Sequence, residues 1–190
     1  MNQCGDSYHQ CSEQILLECQ RALAAIDPEN TQQLLKAMMQ AEQIFFVGVG
    51  RVSLSLQSIA KRLAHLGLST HIVGEITEPA ITPNDLLIVG SGSGESLIPV
   101  AIAKKAHALG VRIAYIGSNA ESTVAKLSTV CVRIPVRTKL AKPDEIHSDQ
   151  PMTSLFEQTL LLYGDTLAMM ICREHSIVLY DLWRKQANLE

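Results

Sequence analysis

The sequence lacks the features of a nucleic-acid or membrane protein. Sixteen Lys and Arg against 19 Asp and Glu leave a formal charge of −3 at pH 7, so no basic field gathers a polyanion or an anionic lipid surface. No apolar run approaches the roughly 20 residues of a membrane-spanning helix. The longest, IFFVGVG at 44–50 and LLIVG at 86–90, have the length of strands. The opening MNQCGDSYHQCSEQ is too polar for a signal peptide. Cys4, Cys11, Cys19, Cys131 and Cys172 form an odd set with no C-x-x-C pair, which reads as reduced thiols in a reducing compartment. The expectation is a soluble, cytoplasmic protein with a small-molecule partner, no membrane and no nucleic acid. Cys4, His9 and Cys11 come nearest to a metal-ligand cluster, but they lack the further ligands of a zinc-type spacing, so no metal is expected.

What is present suits one globular domain: 190 residues, 47% hydrophobic and 18% charged, enough to bury a single core. Ile15, Leu16, Cys19, Ala22, Leu23 and Ile26 recur at helical spacing within 6–26. Asp27 and Pro28 then supply an N-cap and first residue for a second helix. From there the pattern alternates. It gives a strand at QIFFV, a helix over 53–66 ending at Gly67, strands at THIVG and LLIVG, and a helix over 96–109 ending at Gly110. A strand at RIAYIG, a short helix at STVAKL and a strand at VCVRIP follow. Five short apolar strands separated mostly by helices predict a parallel sheet covered on both faces. The segment EITEPAITPND between strands two and three is too short for a good helix, so the chain crosses the sheet there, giving a doubly wound α/β fold with a crevice at the carboxyl ends of its strands. Residues 136–152 read as an exposed loop of the kind that reaches an active site. An apolar helix over 153–174 and a last helix over 177–189, capped by Ser176, complete the chain. Met169, Met170, Leu179, Leu182 and Trp183 on these helices read as core or subunit contact.

Two glycine-bearing turns, GVGRVS at 48–53 and SGSGES at 91–96, each follow a buried strand and open a helix, where unpaired amides and the helix dipole favour an anion. Neither is a nucleotide fingerprint: no G-x-x-x-x-G-K-[ST] occurs, and Ser53 stands where a dinucleotide motif wants its third glycine. Ser91, Ser93 and Ser96 can each donate to a phosphate oxygen while the glycines let the backbone come close, which suits one terminal phosphate on a small molecule. The competing reading is that Gly and Ser only satisfy a tight turn and a helix cap.

With SGSGES the sequence resembles the sugar isomerase (SIS) domain family, whose phosphosugar turn has the form S-x-S-G-[ED]-[ST]. GVGR, RLAHLG, VGEITEPAIT, NDLLIVGSGSGES, PMTSLFEQ and the terminal ANLE extend the similarity to the 6-phospho-3-hexuloisomerases of the ribulose monophosphate pathway, from about residue 43 to residue 190. The resemblance implies a three-layer αβα sandwich with a five-stranded, flavodoxin-like parallel sheet. It also implies a homotetramer that interconverts a 3-hexulose 6-phosphate and fructose 6-phosphate without metal or organic cofactor. Carried over residue by residue, the phosphate turn falls on Ser91, Gly92, Ser93 and Ser96, the arginine after the first glycine turn on Arg51, and the carboxylate of SLFEQ, the implied base, on Glu157. Gly50 belongs with the first turn. Glu95 and His65 are second-rank candidates.

Two departures from the family pattern stand out. Gly50, Arg51, Val52 and Ser53 replace a usual Gly-Arg-Ser-Gly, so a phosphate hydroxyl is lost or passes to Ser53. Gln186 replaces a histidine thought to reach a neighbouring subunit's site, and glutamine can hydrogen-bond but cannot exchange a proton near neutrality. A 3-ketose phosphorylated at carbon 6 has its ring-closing hydroxyl blocked, so no ring-opening acid is needed in that direction. Shifting the carbonyl needs a base and groups to stabilise the enediolate; burial within LFEQTLLL is expected to raise the Glu157 pKa toward neutrality. The alternatives are a different phosphosugar isomerase, or a non-catalytic phosphosugar sensor. The residues before the first strand read as two domain helices, without room for a complete DNA-binding domain beside them.

Overall fold

The structure is a computed structural model describing the backbone of residues 3–189 and the side chains of residues 7–189; the Cys4 thiol and Glu190 lie outside the described residues. Five parallel strands, β1 (Ile44–Val47), β2 (Thr70–Ile72), β3 (Leu86–Gly90), β4 (Arg112–Gly117) and β5 (Val130–Arg133), lie in the order β2-β1-β3-β4-β5. Ile44 pairs with Thr70 on one side and with Leu86 on the other. The apolar runs of β1, β3 and β4 reflect burial on both faces, and alternate residues part company as the period of a strand requires. Ile44, Phe46, Leu86, Ile88, Ala114 and Ile116 pack on one face, while Phe45, Val47, Leu87, Val89, Ile113 and Tyr115 pack on the other.

The first face is covered by α1 (Gln3–Ala24), α2 (Pro28–Gln40), α3 (Arg51–Leu66) and α6 (Ser154–Glu174), through Ala22, Leu34, Met38, Leu63, Phe156 and Leu160 among others. The second is covered by α4 (Leu97–Ala108) and α5 (Thr123–Leu127), through Ala103, Ala106 and Val124. This is the three-layer αβα sandwich expected, and both helices that precede β1 contribute to its core. Asp27 caps α2 as its position suggests, accepting from the Glu29 amide at 2.8 Å. Residues 73–85 carry the chain from β2 past β1 to β3, so the connections of β1 and β3 diverge to opposite faces and leave a switch point between them.

The end of the chain differs from expectation. Residues 177–189 hold only a 3-10 helix, Leu179–Lys185, with no buried residue, and Val178 stands at its N-cap. Ser176 belongs to the preceding helix. It sits in the left-handed region at φ 49°, its amide meets the Arg173 carbonyl at 3.4 Å, and the next amide, of Ile177, reaches the Cys172 carbonyl at 2.9 Å. That pair of bonds is a Schellman stop to α6, the same device that closes α3 at Gly67 and Leu68. A serine does here what glycine does there, so sequence reading took it for a start.

Candidate functional site

Both glycine turns open at the switch point into one cavity of about 340 Å³. Its walls come from the first turn (Gly50, Arg51, Val52), the second (Gly90, Ser91, Gly92, Ser93, Ser96), the 136–152 loop (Thr138, Lys139, Met152) and the start of α6 (Thr153, Phe156, Glu157).

The second turn is built to present donors. Gly94, at φ 65°, sits so close over the Ser122 side chain that any Cβ would collide with it, and the turn folds back through the Gly94 amide to Ser91 O (3.2 Å) and Ser91 Oγ (3.1 Å). The Glu95 amide donates to Ser93 Oγ at 3.3 Å. Each hydroxyl oxygen thus accepts from the backbone, leaving its own hydrogen for a ligand. Ser96 occupies the N-cap of α4 but makes no capping bond with its side chain; its Oγ lies 3.4 Å from Ser91 Oγ. Ser91 and Ser93 thus satisfy the turn as the turn-and-cap reading expects, but the cap bond is absent, which leaves the Ser96 hydroxyl uncommitted to the first turn of α4. From beneath, the Tyr115 hydroxyl donates to Ser91 O at 2.8 Å, and burial pushes its ionisation above the ordinary phenol range.

Across the cavity, Glu157 lies in the first turn of α6 and is largely buried. Thr153 Oγ1 donates to its Oε1 at 2.9 Å, Arg51 Nε makes a short contact with Oε2, and Ser55 Oγ holds its backbone carbonyl at 2.9 Å. Arg51, the first residue of α3, keeps 65% of its side chain exposed, so its two terminal nitrogens remain available to a ligand. Arg51, Gly50, Ser91, Gly92, Ser93, Ser96 and Glu157 are therefore brought together as the sequence suggested, and Val52 faces the cavity where the family pattern carries serine.

Four other candidates lie elsewhere. Ser53 Oγ accepts from Gln57 at 3.2 Å on the exposed face of α3 and does not replace the missing hydroxyl. The Glu95 carboxylate turns outward to the Thr123 amide at 2.7 Å, and that bond holds it below the usual carboxylate range. His65 is buried in the last turn of α3, 3.3 Å from Arg62 through Nδ1, with no partner for Nε2. Burial, with Lys61 and Arg62 beside it, lowers its pKa and keeps it neutral at pH 7. Gln186 ends the 3-10 helix, away from this cavity.

Sequence reading missed Thr138, Lys139, Met152, Thr153 and Phe156. The composition of residues 136–152 signalled a loop near the site but not which side chains it delivers. A larger cavity, about 740 Å³, lies between α3, α6 and the 3-10 helix. Leu66, Ala168, Met169, Ile177, Leu179 and Leu182 make it mainly apolar, with Arg62, Asp165 and Arg173 among its other lining residues and no serine or threonine hydroxyl. Among the described residues no cluster of metal ligands occurs.

The switch point thus sets a neutral hydroxyl-and-amide cradle opposite a carboxylate–guanidinium pair. The chain belongs to the SIS domain family, matching it over residues 37–169. It is similar to the 3-hexulose-6-phosphate isomerase of Bacillus subtilis (strain 168), at 37% identity over 177 residues, covering 93% of this chain and 96% of the relative. It is also similar to the 3-hexulose-6-phosphate isomerase of Mycobacterium gastri, at 37% identity over 167 residues, covering 88% and 83%. A crystal structure of a hypothetical protein from Methanococcus jannaschii, for which that same molecular function was inferred, superposes with a TM-score of 0.80 at 26% identity, covering 97% of this chain and 99% of that one.

Proposed function

We propose that the protein is an isomerase interconverting 3-hexulose 6-phosphate and fructose 6-phosphate. The observation that carries this reading is the placing of Glu157 and Arg51 on one wall of the cavity whose other wall is the serine turn. With the phosphate in that turn, the ionised Glu157 removes the proton from carbon 2 of the 3-ketose. The electron pair flows into the carbonyl at carbon 3, and the 2,3-enediolate forms. Arg51 supplies donors to the enediolate oxygens as charge develops on them. Returning the proton to carbon 3, with the hydroxyl proton passing from oxygen 2 to oxygen 3, leaves the carbonyl at carbon 2. Thr153 keeps one Glu157 oxygen oriented while the other faces Arg51 and the substrate.

On this reading the protein works as a cytoplasmic homotetramer and needs no metal or organic cofactor. Leu179, Tyr180 and Trp183, exposed at 67%, 78% and 72%, supply an apolar surface for a neighbouring subunit. Gln186 then acts from that neighbour as a hydrogen-bond donor rather than a proton carrier. His65 supports α3 and takes no proton from substrate.

The test is turnover of freshly generated 3-hexulose 6-phosphate by the purified protein and by Glu157→Gln. The expected outcome is activity in the wild type and a loss of kcat of about a thousandfold in the variant, within the range for removing a general base, with fructose 6-phosphate still bound. A wild type that binds fructose 6-phosphate without converting it would make the chain a sensor.

A further inference from the structure

The cavity has a charge imbalance that its serine turn does not resolve. A sugar phosphate brings about −1.5 to −2 charges at pH 7, yet the turn offers only neutral hydroxyls and amides, and its one ionised residue, Glu95, is an anion. Of the residues lining the cavity, only Arg51, Glu157 and Lys139 are charged, and Arg51 is engaged with Glu157. Lys139 is the remaining cation.

Its place follows from the residue before it. Thr138 packs directly on the phosphate turn, its methyl group 3.2 Å from where a Cβ on Gly92 would stand. Thr138 is in turn held by Glu145, which accepts from its amide at 2.9 Å and from its hydroxyl at 2.8 Å. Glu145 also accepts from the Lys142 amide at 3.2 Å and shares the single Ser118 hydroxyl hydrogen, its Oγ 3.2 Å away, with the Val136 carbonyl. Ser118 closes the circuit: its amide donates to Gly92 O at 3.0 Å and its hydroxyl to Val136 O at 2.9 Å. One carboxylate and one serine therefore lock the loop to the turn.

The other Lys and Arg residues of this loop, and Arg133 at the end of β5, are already bound. Arg133 pairs with Asp144, Arg137 donates to Ser148 O, and Lys142 Nζ reaches Asn119 Oδ1 at 2.5 Å. Lys139 has no carboxylate or hydrogen-bond partner among the described residues, and its side chain lines the cavity from an exposed position.

We propose that Lys139 is a substrate-binding residue that takes the phosphate of the sugar beside the serine turn, on a loop latched in place by Glu145. It rests on the reading under Proposed function for the sugar, while the phosphate itself is tested independently. The latch fixes the position of the loop before ligand arrives, so little ordering of the backbone is left to oppose binding. Lys139 contributes to binding in ground and transition states alike, so its loss appears in KM far more than in kcat.

The experiment titrates the wild type, Lys139→Gln and Lys139→Arg with inorganic phosphate by 31P NMR and with fructose 6-phosphate by calorimetry, at two salt concentrations. It also measures KM and kcat for each. Lys139→Gln is expected to weaken both ligands about tenfold to a hundredfold, the range of a charge-assisted hydrogen bond, and to flatten the salt dependence. Lys139→Arg, which keeps the charge, is expected to stay within a few-fold of the wild type. Equal phosphate affinity in the wild type and Lys139→Gln would overturn the proposal, as would a wild type that binds no phosphate at all. Failure of the isomerase reading would show instead as a wild type without turnover, and the phosphate titration would still decide the role of Lys139.

Discussion

Of the two turns that meet at the switch point, the one after β1 brings a charge and no hydroxyl into the cavity, and the one after β3 brings hydroxyls and no charge. They share a backbone plan: buried strand, glycine, helix start. Val52 lines the cavity and also packs against the core, bringing a methyl where a hydroxyl is expected and leaving Arg51 as the first turn's charged contribution. Glu95 is the second turn's only ionisable group, and it is drawn off to α5. The division matches what each end of a sugar phosphate does. The phosphate carries the same charge throughout the reaction, so fixed neutral donors hold it equally well in every state. The enediolate oxygens gain charge on the way to the transition state, where a nearby guanidinium lowers the barrier.

Kinetics can break this comparison most directly. Arg51→Gln is expected to lower kcat by about a hundredfold to a thousandfold, as loss of an oxyanion donor does, with KM changed only a few-fold. Ser91→Ala combined with Ser93→Ala is expected to do the reverse, raising KM at least about tenfold with a smaller fall in kcat. Equal effects on both constants from both changes, in steady-state assays, would erase the distinction.

The charged side also has a remote support that acid should reveal. Glu18 on α1 is buried and accepts from Ser148 Oγ (2.6 Å), Gln14 (2.8 Å), Gln150 (3.0 Å) and the Asp149 amide (3.1 Å), pinning the segment that leads into Thr153 and Glu157. Burial alone would raise its pKa, but these four bonds outweigh it and hold the carboxyl at about 2 instead of the ordinary 4.5. Since the folded value is the lower one, the stabilisation is complete above pH 4.5 and is lost as pH falls toward 2. It amounts to about 3 kcal/mol. Denaturant titrations across that window should show the loss in the wild type and a correspondingly flatter profile in Glu18→Gln.

The smallest effect sharpens the comparison from the other direction. Val52→Ser gives the first turn a hydroxyl and should lower KM less than about fivefold, since one neutral hydrogen bond in water contributes about 1 kcal/mol. It should also cost some thermal stability, because Val52 packs against the core; KM and Tm measured together separate the two.

The layers of the fold and the two turns were legible because their causes are local. A strand of the central sheet is announced by its apolar run, and a helix stop by glycine after the last periodic residue, as at Gly67. The rest depends on groups distant in sequence. Glu18 meets Ser148 across 130 residues and Arg51 meets Glu157 across 106, and no spacing rule reaches so far; only the resemblance of SLFEQ to a known motif pointed to Glu157. Thr138 and Lys139 enter the site because Glu145 and Ser118 fasten their loop, and nothing in the string VRTKLAKPDEIHSD distinguishes one lysine from the other. Ser176 misled because left-handed backbone is rare outside glycine, so a helix stop looked like a cap.

The Tyr115 hydroxyl beneath Ser91 has a bearing on which sugars the protein accepts. A turn already fastened from below offers the same rigid socket to any phosphate monoester, as an adaptor accepts any plug of one gauge. With the phosphate held there as proposed, discrimination by chain length and stereochemistry falls to the other residues of the cavity, among them Arg51, Glu157 and the exposed Met152.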